Sequence, residues 1–202
     1  GWQPQHLRLE AADGTLLGAA PCYLKSHSQG EYVFDHGWAD AFERAGGRYY
    51  PKLQVAVPFT PATGPRLLTS GASATPIRAA LAGGLKTLTD RLGVSSAHVT
   101  FAADEDIEQL DAAGFLLRTD QQFHFRNEAY RDYADFLDTL ASRKRKALRK
   151  ERAAAVQNGI TIDRLTGKDL TESVWDDFFR FYMDTGSRKW GRPYLNRKFF
   201  SL

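Results

Sequence analysis

The sequence predicts an α/β protein in which helices cover a mixed β-sheet. Strand-like and helix-like segments alternate along most of the chain, which is typical of layered α/β folds. Hydrophobic residues make up 43% and charged residues 25% of the 202 residues, as in ordinary globular domains. An Asp-Gly pair between two apolar runs also predicts a β-hairpin near the start of the chain.

The predicted elements begin with this hairpin, whose strands are residues 5–10 and 16–24. The segment WADAFERAGG then predicts a short helix that ends at glycine. LQVAVPF is the third predicted strand. Pro58 within it indicates an edge strand or a bulge, because proline cannot donate a backbone hydrogen bond.

Helices and strands alternate in the next part of the chain. The patterns predict a helix for TPIRAALAGGLKTLTDRLGV, a strand for SAHVTFA, a helix for DEDIEQLDAAGF and a strand for QQFHFRN. This order completes a first domain, which we place at residues 1–131.

A long basic helix is predicted after this domain. It begins at Asp132, a residue type that caps helix N-termini, and ends at the Asn158-Gly159 pair. ITIDRL then predicts a strand and ESVWDDFFRFYMDTG a helix. We therefore predict a connecting helix at 132–159 and the beginning of a truncated second domain at 160–202. Because the chain begins with Gly1 and stops within a helical pattern, we expect it to be part of a longer protein that also contains the first elements of the first domain.

The basic character of the chain is concentrated in residues 142–152, SRKRKALRKER, with seven basic residues and one acidic residue. Outside this stretch 20 basic and 23 acidic residues remain, so the net charge of +3 is local. On a helical projection six of the seven basic residues share one face, and Lys144 lies on the apolar side. Two interpretations stay open: a solvated helix face, or a surface that binds phosphate groups. Duplex DNA is disfavoured, because no helix-turn-helix, finger or zipper pattern is present.

The segment KSHSQGEYVFDHGWAD has the highest density of residues suited to a site, including Glu31, Asp35 and His36. A carboxylate beside an imidazole orients the ring and raises its basicity, which suits removal of a proton from an attacking amine. Exposed or helix-capping roles are the alternative for the same residues. Its histidines lack a standard ligand spacing, so no metal is expected.

A second stretch, RYYPKLQVAVPFTPATGPRLL, brackets the third predicted strand with the positive charges of Lys52 and Arg66. A helix from about Thr75 follows it, and such an arrangement can present backbone N–H groups to an anion. A proline-stiffened edge strand with its connection is the alternative interpretation.

The cysteine count and the hydropathy exclude several classes of protein. Cys22 is the only cysteine, which excludes an intramolecular disulfide and a cysteine-rich zinc module. No apolar run approaches the roughly 20 residues of a membrane span. We therefore expect a cytoplasmic protein without a membrane span.

Three long segments of the chain, GWQPQHL, GAAPCYLKSHSQGEYVFDHGWADAFERAGGRYYPKLQVAVPFTPATGPRLL and FFRFYMDTGSRKWGRPYLNRKFF, carry a family resemblance. They are similar to the bacterial peptidoglycan biosynthesis/recognition proteins, a FemAB-like branch of the GNAT (acyl-CoA N-acyltransferase) superfamily. The resemblance covers essentially the whole chain. It implies a GNAT-like fold, with a central mixed sheet flanked by helices, and the start of a second GNAT-like domain.

The resemblance also implies an N-acyltransferase, with acyl-CoA or aminoacyl-tRNA as co-substrate and a small-molecule or peptide amine as acceptor. A nucleotide-linked peptidoglycan precursor is one such acceptor, and tRNA is a further candidate partner. In GNAT-like enzymes a base takes the amine proton and a backbone N–H polarises the acyl carbonyl. We expect Asp35 and His36 near the amine, with Glu31 as a second carboxylate. The residues expected to bind substrate phosphates are Lys52, Arg66, Lys144, Arg145 and Arg149.

Two features of the family's sequence pattern bear on the identity of the acyl donor and on an alternative function as a binding module. FemAB-like enzymes open their second domain with a basic helical region, which Lys144, Lys146, Arg149 and Lys150 approximate. The CoA-binding signature is not met, because RLLTSGASA places too many residues between its arginine and its glycine. The alternative is a non-catalytic GNAT-like binding module that recognises cell-wall precursors or nucleic acid through the basic helix.

Overall fold

A computed structural model describes residues 1–71, 74–189 and 193–202. It has the predicted layered α/β fold, with a mixed sheet, a second sheet and flanking helices. The chain divides into two compact units, Gly1–Gln122 and Phe123–Leu202. The assignment of GNAT-like domains to residues 1–131 and 160–202, joined by residues 132–159, stays a prediction.

Strands of the first unit form two sheets. They are β1 (Trp2–Pro4), β2 (Leu7–Glu10), β3 (Leu16–Ala20), β4 (Cys22–Lys25), β5 (Lys52–Val55), β6 (Leu68–Thr69) and β7 (Ala97–Val99). The mixed sheet has the order β1-β4-β5-β7, in which only the β5–β7 pair is parallel among the described strands. The antiparallel sheet has the order β2-β3-β6. The predicted hairpin is the β2–β3 pair, and Gly14 in its turn has the left-handed φ of 86°.

The predicted strand at residues 16–24 is two strands, β3 and β4, which belong to different sheets. Pro21 separates them. Because proline has no backbone N–H, it cannot continue a ladder, and the chain passes at this residue from one sheet into the other.

The helices are α1 (His36–Arg44), α2 (Ala74–Leu92) and α3 (Asp104–Ala112) in the first unit, and α4 (Tyr133–Asp138), α5 (Ser142–Ala155) and α6 (Glu172–Arg188) in the second. Short 3₁₀ turns lie at Gln157–Gly159, Gly167–Asp169 and Arg197–Ser201. The predicted helices at α1, α2, α3 and α6 are confirmed. None of the helices in the described part of the chain combines the length and apolarity of a membrane span.

The core of the first unit lies where α2 and α3 cover the strands. Its buried apolar residues are Ala20, Cys22, Leu53, Val55, Leu67, Ile77, Leu81, Ala82, Leu85 and Leu110. Gly18 of β3 lets α2 approach closely, because a Cβ there would lie 2.6 Å from Ile77 Cγ2 and 2.8 Å from the Leu68 carbonyl oxygen. In this way α2 covers the antiparallel sheet and shields the core from water.

Three strand predictions are wrong, one of them in part and two entirely. β5 is an inner strand, paired with β4 on one side and β7 on the other, and it ends at Val55 before Pro58. The segments QQFHFRN and ITIDRL form no strand in the described structure. A segment of alternating polar and apolar residues forms a strand only where a neighbouring strand supplies hydrogen-bond partners. Neither segment has such a neighbour in the described structure.

The predicted continuous helix from Asp132 is interrupted at residues 139–141. Asp132 caps α4 as predicted, since its Oδ1 accepts hydrogen bonds from the Ala134 and Asp135 N–H groups at 2.8 and 3.0 Å. Ala141 then adopts an extended ψ of 141°, and α5 begins after it. Asn158 and Gly159 both have positive φ, as expected for residues that end a helix. Ala72 of the CoA-signature segment and residues 190–192 of the third family segment lie outside the described residues.

Candidate functional site

Four charged side chains are buried together at one end of the mixed sheet. Lys25 ends β4 and Lys52 begins β5, and the antiparallel register places the two lysines directly opposite each other. Both are fully buried, so their positive charges need partners within the protein. Residues 26–35, which connect β4 to α1, supply these partners as Glu31 and Asp35, only 3% and 1% exposed. Together Lys25, Glu31, Asp35 and Lys52 form a neutral group, here termed the lysine–carboxylate cluster.

Lys52 holds the cluster together. Its Nζ donates hydrogen bonds to Asp35 Oδ2 at 2.6 Å, to Glu31 Oε2 at 2.8 Å and to Ser28 Oγ at 2.9 Å. An ammonium group has three N–H donors, and all three are engaged. The predicted binding of a substrate phosphate by Lys52 therefore requires one of these bonds to break.

Lys25 is held less tightly. Its Nζ donates to the Gln29 carbonyl oxygen at 2.9 Å, lies 3.7 Å from the centre of the Trp2 ring and is 3.9 Å from Glu31 Oε1. Burial lowers the pKa of Lys25 to about 8, against the raising effect of Glu31. The Lys25 side chain therefore loses its proton under mildly alkaline conditions.

The two carboxylates differ in their affinity for protons. Burial acts to raise the pKa of Asp35, but hydrogen bonds from Lys52, Ser28 and Tyr49 and the Lys52 charge outweigh it and lower the pKa to about 2. Burial raises the pKa of Glu31 above its ordinary value, in spite of its bond to Lys52. Glu31 Oε1 is also buried without a hydrogen-bond partner among the described residues. Glu31 is thus the better proton acceptor of the two.

Two tyrosines connect the cluster to its surroundings. The Tyr49 hydroxyl donates to Asp35 Oδ2 at 2.8 Å, and burial together with that bond raises the pKa of Tyr49. The Tyr50 hydroxyl lies 2.8 Å from Ser28 Oγ, and the Tyr50 side chain is only half-buried. A continuous chain of hydrogen bonds therefore runs from Tyr50 through Ser28 to Lys52 and the carboxylates.

A nearby histidine belongs to the same region but not to the chain of hydrogen bonds. His98 of β7 lies with its ring 5.8 Å from that of Tyr49, and its Nε2 is 2.9 Å from Ser96 Oγ. Burial lowers the pKa of His98 to about 4. The imidazole is therefore neutral near pH 7 and adds no charge beside Lys52.

His36 does not join the group. It is the first residue of α1 and is exposed, whereas the adjacent Asp35 is directed toward Lys52. Asp35 occupies the N-cap position, yet its side chain makes no capping hydrogen bond. The structure thus brings Glu31 and Asp35 together with Lys52 and leaves His36 apart from them.

Arg66 lies within the loop that precedes β6. Its guanidinium donates to the backbone carbonyls of Ala62, Pro65 and Thr100 at 2.6, 3.2 and 3.0 Å. Its backbone N–H donates to the buried carboxylate of Asp106 at 2.5 Å. These bonds organise residues 62–66. The Arg66 guanidinium, which was predicted to bind a phosphate, is therefore bonded to backbone carbonyl oxygens.

The basic helix α5 belongs to the second unit and has no buried residue. Asp138 of α4 pairs with Arg145 at 3.0 Å and with Arg149 at 3.6 Å, and the Arg152 guanidinium lies 4.6 Å from the centre of the Tyr133 ring. A groove of about 360 Å³ runs along Tyr133, Ala134, Leu137, Arg149, Arg152, Ala153 and Val156. Within the described part of the chain, no ion pair engages Arg143, Lys144, Lys146 or Lys150. Lys144 is exposed, and its predicted place on the apolar side of the helix stays a prediction.

Several residues of the site escaped prediction, namely Lys25, Ser28, Tyr49 and Tyr50. The available signal was a lysine at the end of one apolar strand and at the start of another, in CYLK and KLQV. Their pairing joins segments 26 or more residues apart, so spacing does not show that the lysines face each other. Among the described residues no group of His, Cys, Asp and Glu is arranged to hold a metal ion.

Comparison with known proteins adds one finding. A family model described as FemAB-like, peptidoglycan biosynthesis/recognition, matches residues 1–202. Neither a curated protein nor a solved structure matches the chain.

Proposed function

The chain belongs to the FemAB-like family of peptidoglycan biosynthesis and recognition, and from this premise we propose that it is an N-acyltransferase that modifies an amine of a peptidoglycan precursor. A peptidoglycan-related role follows from the family. The acyl-transfer reaction and the cytoplasmic location are our proposal. The observation that supports the reaction is Glu31, a buried carboxylate with a raised pKa and one oxygen that lacks a hydrogen-bond partner among the described residues.

Acyl transfer to an amine needs a proton acceptor. The amine nitrogen attacks the acyl carbonyl carbon, the new N–C bond forms, and the bond from that carbon to the sulfur of acyl-CoA or to the ester oxygen of aminoacyl-tRNA breaks. The leaving group departs with the bonding electron pair as a thiolate or alkoxide, and the amine loses one proton. Uptake of one proton by the leaving sulfur or oxygen completes the reaction. A carboxylate whose pKa is raised is suited to take that proton.

The buried position of Glu31 calls for a relay to the surface. Tyr50, Ser28 and Lys52 form the hydrogen-bonded path from the half-buried phenol to the Glu31 carboxylate. When Lys52 gives a proton to Glu31, its neutral amino group turns its lone pair toward Ser28 and accepts the Ser28 proton. Tyr50 then restores the proton of Ser28, and the amine supplies Tyr50. The net change is one proton moved from the amine to Glu31, and Lys52 keeps its positive charge. Asp35 stays ionised throughout because its pKa is about 2.

The reaction is tested with the full-length protein and the variant Glu31→Gln. Acetyl-CoA and aminoacyl-tRNA serve as alternative donors, and a UDP-linked muramyl pentapeptide is the acceptor. We expect transfer by the wild type and a turnover about 10² to 10⁴-fold lower in Glu31→Gln. Wild-type turnover is expected to fall as the pH drops through the raised pKa of Glu31, and the variant to lack this decrease.

The control is Glu105→Gln, an exposed carboxylate in the first turn of α3, which is expected to retain wild-type turnover. Circular dichroism and thermal unfolding verify that each variant is folded. The absence of transfer with both donors would contradict the proposal. Full turnover in Glu31→Gln would contradict it too.

A binding module is the second candidate function, and the α5 cations that have no ion pair among the described residues favour it. Thermal unfolding of the full-length protein separates the two candidates, since a ligand that binds only the folded state raises the Tm. The ligands are acetyl-CoA, CoA, the UDP-linked muramyl pentapeptide and bulk tRNA, each at two salt concentrations. A Tm increase with CoA identifies an acyl-CoA enzyme. A salt-sensitive increase shared by unrelated nucleic acids, without any transfer activity, identifies the binding module.

A further inference from the structure

Helices α4 and α5 of the second unit flank a groove of about 360 Å³, here termed the α4–α5 groove. Leu137 of α4 lines it and is only 3% exposed. Arg149 and Ala153 of α5 and its C-cap Val156 follow at i, i+4 and i+7, so they share one face of the helix. Apart from two arginines and the Tyr133 hydroxyl, the side chains that line the groove are apolar.

Two arginines supply the charge of the α4–α5 groove. The Arg152 guanidinium lies 4.6 Å from the centre of the Tyr133 ring, and no ion pair engages it in the part of the chain that the structure describes. The side chain of Arg149 is 57% exposed and lies 3.6 Å from Asp138, a carboxylate that pairs more closely with Arg145 at 3.0 Å. None of the lining residues is acidic. The groove therefore combines apolar walls with two cations whose N–H groups are available to an anion.

The dimensions of the α4–α5 groove favour a small molecule over a protein partner. A stable protein–protein contact buries about 1,000 Å² or more, whereas small-molecule pockets are typically about 300 to 1,000 Å³, with apolar walls and a few polar groups. The stripe from Arg149 to Val156 extends about 10 Å along the helix axis. Because a carbon–carbon single bond is about 1.5 Å long, an extended alkyl chain of about eight to ten carbons has this length.

We propose that the α4–α5 groove binds an amphiphilic anion, namely an unbranched alkyl chain of about eight to ten carbons with a carboxylate or phosphate head. The chain lies against Leu137 and Val156, where it is removed from water. The head accepts paired hydrogen bonds from the guanidinium groups of Arg149 and Arg152. Because these residues belong to the second unit, the inference rests neither on acyl transfer nor on the lysine–carboxylate cluster.

The test is calorimetric titration of the full chain with ligands that share an octyl chain and differ in their heads, each below its critical micelle concentration. Octanoate and octyl phosphate are anionic, 1-octanol is neutral and octyltrimethylammonium is cationic. We expect one saturable site for both anions, and binding at least about tenfold weaker for the other two ligands. Decanoate should bind about three- to tenfold more tightly than octanoate, because it buries two more CH₂ groups. The tighter of the two anions identifies the preferred head.

Two matched pairs of variants test which residues form the site. Ala153→Leu fills the groove and is expected to weaken octanoate binding by at least about tenfold. Ala154→Leu, the same change at an exposed position of α5 that does not line the groove, should bind as the wild type does. Arg152→Gln is expected to reduce the preference for octanoate over 1-octanol, and Arg143→Gln, an exposed arginine outside the groove, to retain it. Circular dichroism and thermal unfolding verify that each variant is folded.

Sedimentation with phosphatidylglycerol vesicles distinguishes a free anion from a membrane lipid as the source of this chemistry. Co-sedimentation that Ala153→Leu abolishes and Ala154→Leu retains would identify a lipid within a bilayer. Octanoate binding without co-sedimentation would identify a free molecule. Both results keep an alkyl chain with an anionic head as the ligand.

Three results would overturn the proposal: no saturable octanoate binding by the wild type, equal affinity for octanoate and octyltrimethylammonium, or unchanged affinity in Ala153→Leu. Glu31→Gln is expected to bind octanoate as the wild type does, since Glu31 lies in the first unit. Loss of acyl transfer and loss of anion binding are therefore separate results. Anion binding without transfer would refute the acyltransferase alone, and transfer without anion binding would refute the groove as a site.

Discussion

Glu31 and Asp35 show how two acids four residues apart acquire different chemistry. Both contact Lys52, but Asp35 also accepts a hydrogen bond from Tyr49, whereas Glu31 keeps a buried oxygen without a partner among the described residues. As a result, hydrogen bonding lowers the pKa of Asp35 and burial raises that of Glu31. Loop composition alone does not distinguish the strong acid from the proton acceptor.

The stability of the protein should depend on Asp35 in the acid range. The pKa of Asp35 is about 2 in the folded state, against 3.8 for an unperturbed aspartate. The stabilisation is therefore fully present above about pH 4 and is lost as the pH falls toward 2. We expect Asp35→Asn to lower the free energy of unfolding at pH 7 by about 3 kcal/mol, because it leaves Lys52 with one fewer buried counter-charge. Urea unfolding at pH 7 and pH 3 checks this.

The difference in free energy of unfolding between wild type and Asp35→Asn should be smaller at pH 3 than at pH 7. An equal difference at both pH values would contradict the lowered pKa of Asp35. Asp40→Asn, an exposed acid of α1, is the control. Glu31 acts in the opposite direction, because a raised folded pKa lets stability fall as the pH rises from 4.5 toward that pKa. A decrease of stability above pH 4.5 therefore reports Glu31, and the loss of stability at more acidic pH reports Asp35.

Lys25 should produce an alkaline dependence of stability. Its pKa is about 8 in the folded state and 10.5 when unperturbed, so the unfolded state binds more protons between these values. Stability should then rise with pH over this range, by about 3 kcal/mol in total. Lys25→Met is expected to abolish the rise, whereas Lys168→Met, at an exposed position, should retain it. Urea unfolding at pH 7.5 and pH 10 measures both, and an equal rise in Lys25→Met would refute the prediction.

At the scale of single elements, α4 and α5 show how local capping and long-range charge act on neighbouring helices. Asp132 begins α4 with two hydrogen bonds to backbone N–H groups. α4 ends after six residues, and its last residue, Asp138, then pairs with the arginines of α5. Part of the positive charge of α5 is therefore balanced within the second unit, and the charge that remains belongs to the cations without ion pairs.

These cations give a prediction for nucleic-acid binding. If α5 contacts the phosphates of tRNA, replacing Lys144, Lys146 and Lys150 together with glutamine should reduce the slope of log Kd against log salt by about 2 to 3. The matched control replaces three exposed lysines of the second unit outside α5, namely Lys168, Lys189 and Lys198. Fluorescence titration at several salt concentrations measures both slopes. Equal slopes in wild type and the α5 variant would exclude this surface from tRNA binding.

At the scale of the whole molecule, the two units differ in how many apolar residues each of them buries. The first unit contains both sheets and the apolar core, whereas Leu137 is the buried apolar residue of the second unit among the described residues. Burial of apolar surface is the main term that offsets the entropy of folding. Local stability should therefore be higher in the first unit.

Hydrogen exchange and limited proteolysis test this difference in the 202-residue chain. Residues 116–129 are exposed and lie outside helices and strands, so trypsin should cleave first at Arg118 or Arg126. Amides of α2 should exchange more slowly than those of α6. A protease-resistant product that retains the second unit and loses the first would contradict the prediction.

The sequence by itself determined the α/β class, the hairpin, four of the helices and the family. These features depend on local patterns: residue periodicity, the Asp-Gly turn, helix caps and long segments shared with relatives. It also indicated the segment around Glu31 and Asp35 as the place of a site, because charged and aromatic residues are dense there. It wrongly predicted that Pro58 lies within an edge or bulged strand and that the basic helix is continuous, because these features depend on which strands pair and where a helix is interrupted.

Only the tertiary structure decided which charges meet. Lys25 and Lys52 become neighbours through the pairing of β4 with β5, and residues 26–35 fold back over them. Once buried, each lysine requires an opposite charge nearby, which draws Glu31 and Asp35 inward and leaves His36, Phe34 and Trp38 outside. The cost of burying charge depends on three-dimensional surroundings, and for that reason sequence spacing placed Asp35 with His36 whereas the fold placed it with Lys52.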